Sequence, residues 1–149
     1  SAGREALSGY LGTELEQNYA KLESVLAQFK AGQEKIWLRR LGNEDTDLWY
    51  DEKDFSQISV LVLEWTHGIS GKFAGVDVPI LLSSTPAETP GYRLARGRNA
   101  NADTAFITMV IELEQAKLEA RAQSAKIIVS KSCELLTYDQ YKQQMAAGR

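Results

Sequence analysis

In the first third of the chain, the apolar residues first recur with helical spacing and then tend to alternate with polar residues. In segments 4–17 and 19–29, apolar residues recur every three or four positions, which predicts two amphipathic helices. From Lys35 to Leu41 apolar and polar residues tend to alternate, which predicts a short strand. Segment 42–55 is polar and acidic, and we expect a loop there that contains a strand at 48–50.

Two nearly continuous apolar runs follow in the middle of the chain. Residues 58–63 are Ile-Ser-Val-Leu-Val-Leu, and residues 76–82 are Val-Asp-Val-Pro-Ile-Leu-Leu. Runs without alternation are typical of strands that are covered on both faces, as in a parallel sheet. Pro79 weakens the second prediction, because proline cannot donate a hydrogen bond to a ladder. A third short buried strand is predicted at 126–129.

Helical signals return in the C-terminal half. Ser84-Thr85-Pro86 combines good N-cap residues with a proline at the first helical position, and Pro90-Gly91 would interrupt a long helix there. The longest predicted helix covers residues 103–123, and a closing helix covers 137–145.

Helices that alternate with apolar strands indicate an α/β fold. We expect one domain over residues 1–149, built of three layers around a largely parallel sheet. In such sheets, ligands bind at the carboxyl ends of the strands.

Composition narrows the classes of function. With one Cys and one His among 149 residues, neither an intrachain disulfide nor a Cys/His zinc site can form, which favours a reducing compartment, the cytoplasm. The longest apolar runs are far below the roughly 20 residues of a membrane helix, and no signal-peptide core precedes them. The net charge of −3 lacks the positive field that nonspecific nucleic-acid binding requires. We therefore expect a small-molecule substrate and neither nucleic acid nor membrane as partner.

Two residues near the first apolar run are candidates for chemistry. Glu64 directly follows residues 58–63, so its carboxylate would lie at the sheet's carboxyl edge, where Mg²⁺ can be held through oxygen ligands. An ordinary acid at a strand end is an equally good interpretation. His67 could bind substrate or assist proton transfer, although a loop histidine more often makes only a local hydrogen bond.

An arginine cluster is the third candidate. Arg93, Arg96 and Arg98 stand at i, i+3 and i+5, and Gly97 lets the last of them turn toward the others. Guanidinium groups suit phosphates because they form forked hydrogen bonds and neutralise charge. We favour an anion-binding lid over the alternative of a solvated basic turn.

Two further features carry weaker signals. The N-terminal segment 1–7 opens a helix, and free amides at a helix N-terminus attract phosphate, although every helix has such an end. Trp37, Trp49 and Trp65 are more often core or pocket-wall residues than a stacking surface.

The order of these features resembles the P-loop nucleotide kinases of the uridine kinase, phosphoribulokinase and adenylylsulfate kinase type. Residues 60–68, Val-Leu-Val-Leu-Glu-Trp-Thr-His-Gly, resemble that group's Walker-B-like strand, which ends in an acid and a glycine-containing loop. Residues 76–89 resemble the next strand and the helix into the lid, residues 93–98 the arginine-rich lid, and residues 126–129 a late strand. The resemblance covers roughly residues 55–132.

The phosphate loop departs from the family's pattern. A Walker A loop is G-x-x-x-x-G-K-[ST] after a strand. Here only Gly3-Arg4-Glu5-Ala6-Leu7 stands in the matching place, with Arg for the Lys and Glu for the Ser or Thr. The strand before this loop and an acid-bearing strand after the first helix are also missing. Either the sequence lacks stretches of the natural protein, or the chain is a relative that has lost nucleotide binding.

The resemblance implies a kinase that transfers phosphate from ATP, with Mg²⁺, to a hydroxyl of a nucleoside or adenylylsulfate-like acceptor. A non-catalytic module that binds a phosphometabolite or a protein partner is the alternative, and helix 103–123 could serve as a homodimer face. The implied roles are metal binding for Glu64, phosphate clamping for Arg93, Arg96 and Arg98, a remnant phosphate loop for Gly3 and Arg4, and acceptor contact for Asp45, Asp47 or His67.

Overall fold

Helices and two small sheets make up a mixed α/β structure, as expected. The computed structural model describes residues 2–42, 46–71, 74–95 and 104–148. The chain forms two compact units. The first unit consists of Ser1–Gln17, Trp65–Gly71 and Asp77–Arg149, and the second of Asn18–Glu64 and Lys72–Val76.

The second unit is built from one helix and one β-hairpin. Helix α2 covers Tyr19–Lys30, and the side chain of Asn18 caps its start by accepting a hydrogen bond from the Lys21 amide. Strands β1 (Lys35–Leu41) and β2 (Leu48–Asp54) pair antiparallel over their full length. Both predicted strands are confirmed, and the second is longer than the three residues expected.

The apolar run at 58–63 is not a strand, and this prediction is wrong. Val60 and Val62 are 75% and 80% exposed. Residues 59–63 make no backbone hydrogen bond to any described residue. A strand needs a neighbour to complete its ladder, and no described segment supplies one, so these backbone groups are left to solvent.

The first unit contains a three-stranded sheet in the order β3-β4-β5. Strand β3 (Ile80–Leu82) pairs parallel with β4 (Ile127–Val129), and β4 pairs antiparallel with β5 (Leu135–Leu136). One face of this sheet is covered by a core of buried residues. They are Ile69, Leu81, Ala122, Ile128, Tyr141 and Met145.

Three longer helices belong to the first unit. Helix α1 covers Ala2–Tyr10, α4 covers Ala105–Arg121 and α5 covers Tyr138–Ala147. The predicted helices at 103–123 and 137–145 are confirmed. The first helix ends well before the expected residue 17, because Gly12 turns the chain with a φ of +64°.

Two short helical segments follow β3, and each of them begins at a proline. A single 3₁₀ turn covers Pro86–Glu88, where the sequence predicted the start of a longer helix. Helix α3 (Pro90–Ala95) then begins at the proline that was expected to interrupt it. A proline at the first helical position loses no hydrogen bond, because that amide has no partner within the helix.

The α/β class is confirmed, but the finer architecture is not. Of the three strand pairs in the described ranges, only β3–β4 is parallel, so a largely parallel sheet in three layers is not confirmed by these strands. Within the same ranges, no helix is both long and apolar enough to cross a membrane.

Candidate functional site

The expected phosphate clamp lies mostly outside the described residues. Arg93 belongs to helix α3, but its side chain is not among the described ones. Arg96 and Arg98 lie outside the described residues, as does Asp45. The phosphate-binding role of the three arginines stays a prediction.

Glu64 stands at the end of the exposed apolar run, in the second unit. Its side chain is exposed, and it makes no hydrogen bond or ion pair with any described residue. The described residues contain no cluster of three or more His, Cys, Asp or Glu that could hold a metal ion. Magnesium is commonly held by one or two carboxylates together with substrate phosphates and water. Glu64 supplies one such carboxylate, and its metal-binding role stays a prediction.

Gly3 and Arg4 lie in the first turn of α1. A Cβ at Gly3 would meet nothing within 4 Å, so packing does not require glycine there. The Arg4 guanidinium lies 2.8 Å from Glu112 Oε2 in a half-exposed ion pair. Exposed pairs of this kind contribute less than about 1 kcal/mol, so the pair could be exchanged for a ligand at small cost.

Asp47 lies next to β2 at the end of the hairpin turn. Its backbone carbonyl accepts a hydrogen bond from the Gly42 amide at 2.8 Å, and its side chain is exposed. Asp47 is therefore accessible to a ligand, and its expected contact with an acceptor stays a prediction.

His67 is the best-packed of the predicted site residues. Only 8% of its side chain is exposed, and Nε2 lies 3.8 Å from Glu16 Oε2. The Gly12 amide donates a hydrogen bond to that same carboxylate, and the Trp65 ring meets the imidazole edge to face at 5.3 Å. In this conformation a substrate would have little access to His67, whose contact with an acceptor also stays a prediction.

A second carboxylate acts on the same imidazole from helix α4. Burial raises the pKa of Glu114 above its usual range, while the charge of His67 opposes that shift and the charge of Glu16 adds to it. His67, Glu16 and Glu114 come from three different segments of the first unit. Sequence reasoning found the histidine but missed both acids, because they stand far from it along the chain.

None of the described members of the predicted site is joined to another by a hydrogen bond or an ion pair. These members are Gly3, Arg4, Asp47, Glu64 and His67. Three aromatic side chains of the hairpin, Trp37, Trp49 and Tyr50, are about half exposed, whereas tryptophans are more often expected in a core or pocket wall.

These features define a mixed α/β protein with exposed carboxylates and a buried histidine that lies beside the Glu16 carboxylate. No family model matches the chain, and no solved structure matches it. The chain is 48% identical over 130 residues to part of the bifunctional alpha-galactosidase/sucrose kinase AgaSK of Mediterraneibacter gnavus. The match covers 87% of this chain but only 14% of the length of that relative.

Proposed function

We propose that this chain is part of an ATP-dependent phosphotransferase that phosphorylates a hydroxyl of a sugar. The observation that carries the proposal is the 48% identity to part of a protein named for a sucrose kinase activity. A sugar thus takes the place of the nucleoside or adenylylsulfate acceptor, for which the relative offers no support. The three-layer, P-loop-like architecture and a location in the cytoplasm are part of the same proposal.

The relative's name also includes an alpha-galactosidase, so the choice between two activities needs its own argument. A glycosidase uses two carboxyl groups that flank the scissile bond with room for the sugar between them. Glu16 lies 3.8 Å from the buried imidazole of His67, and the charge of that imidazole also acts on Glu114, so these two half-buried acids are engaged with a histidine. The order of Glu64 and the arginines Arg93, Arg96 and Arg98 favours the kinase.

In the proposed reaction, the sugar oxygen attacks the γ-phosphorus of ATP, the bond to the β-phosphate oxygen breaks, and ADP leaves. Mg²⁺ would neutralise phosphate charge, and Glu64 would hold it directly or through water. The guanidinium groups of Arg93, Arg96 and Arg98 would bind the transferring phosphate. The chain's contribution is positioning and charge neutralisation, with Asp45, Asp47 or His67 near the acceptor.

The experiment measures ADP formation by the chain with sucrose and MgATP. Arg96→Ala should lower the rate and the ATP affinity and change the free energy of unfolding by less than about 0.5 kcal/mol, because the role proposed for Arg96 is in phosphate binding and not in packing. Arg121→Ala is the matched control, since Arg121 is exposed in the last turn of α4, and its activity should be unchanged. Absence of both ADP formation and a thermal shift with MgATP would refute the kinase. Hydrolysis of an alpha-galactoside would assign the other activity of the relative.

A second candidate is a non-catalytic module that binds a phosphometabolite. The departure of Gly3-Arg4-Glu5 from the Walker A pattern favours it, because the lysine that contacts the phosphates is replaced. Saturable binding of MgATP in isothermal titration, together with no ADP formation under the same conditions, would select this candidate over the enzyme.

A further inference from the structure

Two loops leave the sheet of the first unit at the same edge. Strands β3 and β4 are parallel, so their carboxyl ends lie side by side. The Ser83 amide, just after β3, donates a hydrogen bond to the Val129 carbonyl at the end of β4, at 2.7 Å. Ser83 and Ser130, the residues that follow the two strands, are both buried. The starts of the two loops are therefore fixed next to each other, at the edge where parallel sheets bind ligands.

The loop after β4 is a tightly hydrogen-bonded turn. The Ser130 hydroxyl accepts a hydrogen bond from the Glu134 amide, and the Ser130 amide donates one to the Glu134 carbonyl. The Cys133 amide donates another to the Ser130 carbonyl. These bonds fix the backbone of the exposed Lys131, which directly follows Ser130.

The loop after β3 leads into helix α3. Thr85 is buried, and its amide and its hydroxyl both donate hydrogen bonds to Oε2 of Glu88, at 2.8 and 3.3 Å, across the 3₁₀ turn. Helix α3 begins two residues later, at Pro90, and contains Tyr92 next to Arg93. Because the two are neighbours in one helical turn, any contact that holds Tyr92 also holds the backbone of Arg93.

The two loops meet at Tyr92 and Lys131. The ammonium of Lys131 lies 5.7 Å from the centre of the Tyr92 ring, within the roughly 6 Å of a cation–π contact. In the described part of the chain Lys131 makes no hydrogen bond or ion pair, so the ring is the contact that holds its charged end. Helix α3 has six residues, fewer than a helix needs to be stable by itself in water, so its position depends on such contacts.

We propose that Tyr92 and Lys131 are positioning residues of the phosphotransferase site. Their contact holds helix α3 against the turn after β4, and this keeps Arg93 near the carboxyl edge of the β3–β4 pair, where the phosphates of ATP would bind. The identity of the ligand rests on the proposed function, whereas the contact itself requires no phosphoryl transfer.

The experiment measures the Kd of the full chain for MgATP by isothermal titration. Tyr92→Leu and Lys131→Met each remove the contact and should weaken binding about two- to fivefold, which corresponds to a cation–π contact between exposed groups. Tyr92→Phe and Lys131→Arg keep a ring and a cation, and they should bind MgATP nearly as the unsubstituted chain does. The double variant with Leu at 92 and Met at 131 should bind no more weakly than either single variant, because each change removes the same contact.

Lys142 provides a matched control in the same unit. Its ammonium lies 4.9 Å from the centre of the Tyr138 ring in helix α5, and Lys142→Met removes that cation–π contact by the same change of residue. Lys142 also forms an ion pair with Asp139 at 2.8 Å, so this change should disturb folding at least as much as Lys131→Met does. The Kd of Lys142→Met for MgATP should nevertheless be unchanged.

Four results would overturn the inference: unchanged affinity in Tyr92→Leu and Lys131→Met, additive losses in the double variant, an equal loss in Lys142→Met, or a loss in Lys131→Met alone. The last result would make Lys131 a direct ligand of the phosphates.

The ADP assay on the same variants separates this inference from the proposed function. Coupled losses of MgATP affinity without ADP formation refute the enzyme and keep the positioning pair of Tyr92 and Lys131. ADP formation with additive or absent losses overturns the positioning pair and keeps the enzyme. Failure of the unsubstituted chain to bind MgATP overturns both.

Discussion

Gly12 occupies a conformation and a space that suit glycine and no other residue. Its φ of +64° lies in the left-handed region. A Cβ at this position would lie 2.9 Å from both Cε1 and Nδ1 of His67. The imidazole is almost fully buried between Glu16 and Trp65, so it cannot swing into solvent to make room. We therefore expect Gly12→Ala to destabilise the first unit.

The magnitude follows from two contributions. A left-handed conformation costs a non-glycine residue about 1–2 kcal/mol, and the stiffer unfolded chain of alanine returns about 0.4–1 kcal/mol. The net backbone effect is therefore about 1 kcal/mol. Forcing a methyl group against a packed ring adds about 1–3 kcal/mol. Together these give a loss of about 2–4 kcal/mol in the free energy of unfolding.

Gly71→Ala separates the two contributions. Gly71 belongs to the same unit and has a φ of +67°, but a Cβ there would meet only Arg121 Nη1, at an ordinary 3.8 Å. This control should lose only the backbone contribution of about 1 kcal/mol.

The assay is urea unfolding of both variants, monitored by circular dichroism. The unfolding midpoints are compared on condition that the dependence of the unfolding free energy on urea concentration is unchanged. A double-mutant cycle of Gly12→Ala with His67→Ala should show coupling, because removing the ring removes the clash. Equal losses at Gly12 and Gly71, or additive effects in the cycle, would refute the contact with the imidazole.

Three other substitutions test the fold. Burial raises the pKa of Glu114, so the stability that this group contributes is fully present below its unfolded pKa and is lost as pH rises through the folded pKa. Thermal melts should therefore show that Glu114→Gln stabilises the protein at neutral pH but not below about pH 4. Thr137→Ala removes the capping box of α5 and should cost about 1 kcal/mol in urea unfolding, while Thr137→Ser should keep most of it. Ile36→Ala should cost about 2–5 kcal/mol at a fully buried position, against less than about 0.5 kcal/mol for the exposed Val60→Ala.

The elements that the sequence predicted correctly have local causes. The Thr137 side chain accepts a hydrogen bond from the Gln140 amide, and the Gln140 side chain accepts one from the Thr137 amide, so two residues three positions apart suffice to begin α5. The alternation from Lys35 to Leu41 likewise sets the two faces of β1 within the strand itself. Neither signal depends on a distant part of the chain.

Whether the faces of a strand are buried depends on segments that lie far away in the sequence. The predictions of doubly buried strands failed for this reason. Leu81 and Ile128 are buried in the core, but Ile80 and Leu82 on the other face of the same sheet are exposed. An apolar run shows that both faces of a strand could be buried, but it does not show that other segments actually cover them. Trp37 is a similar case: tryptophans more often lie in a core or pocket wall, but this side chain is 53% exposed.

The candidate site was harder to predict than the fold. His67 stood out as the only histidine, but the carboxylates that act on it come from the turn after α1 and from α4. Nothing in the residues next to His67 indicates either acid. The order of motifs along the chain identified candidate residues but not the residues that interact with them. The proposed function therefore has to be tested by substituting individual side chains.

Hydrogen exchange can decide between the expected strand at 58–63 and the irregular segment of the structure. Without ladder partners, the amides of Val60 and Val62 should exchange close to the rate of an unfolded chain, whereas paired amides of β1 and β2 should be protected. Both segments belong to the second unit, so global unfolding of that unit affects them alike and the difference reports local structure. Protection at Val60 and Val62 equal to that of the hairpin would mean that a ladder partner is present in solution. The doubly covered strand would then be restored, and Glu64 would stand at the end of a strand, as the sequence predicts.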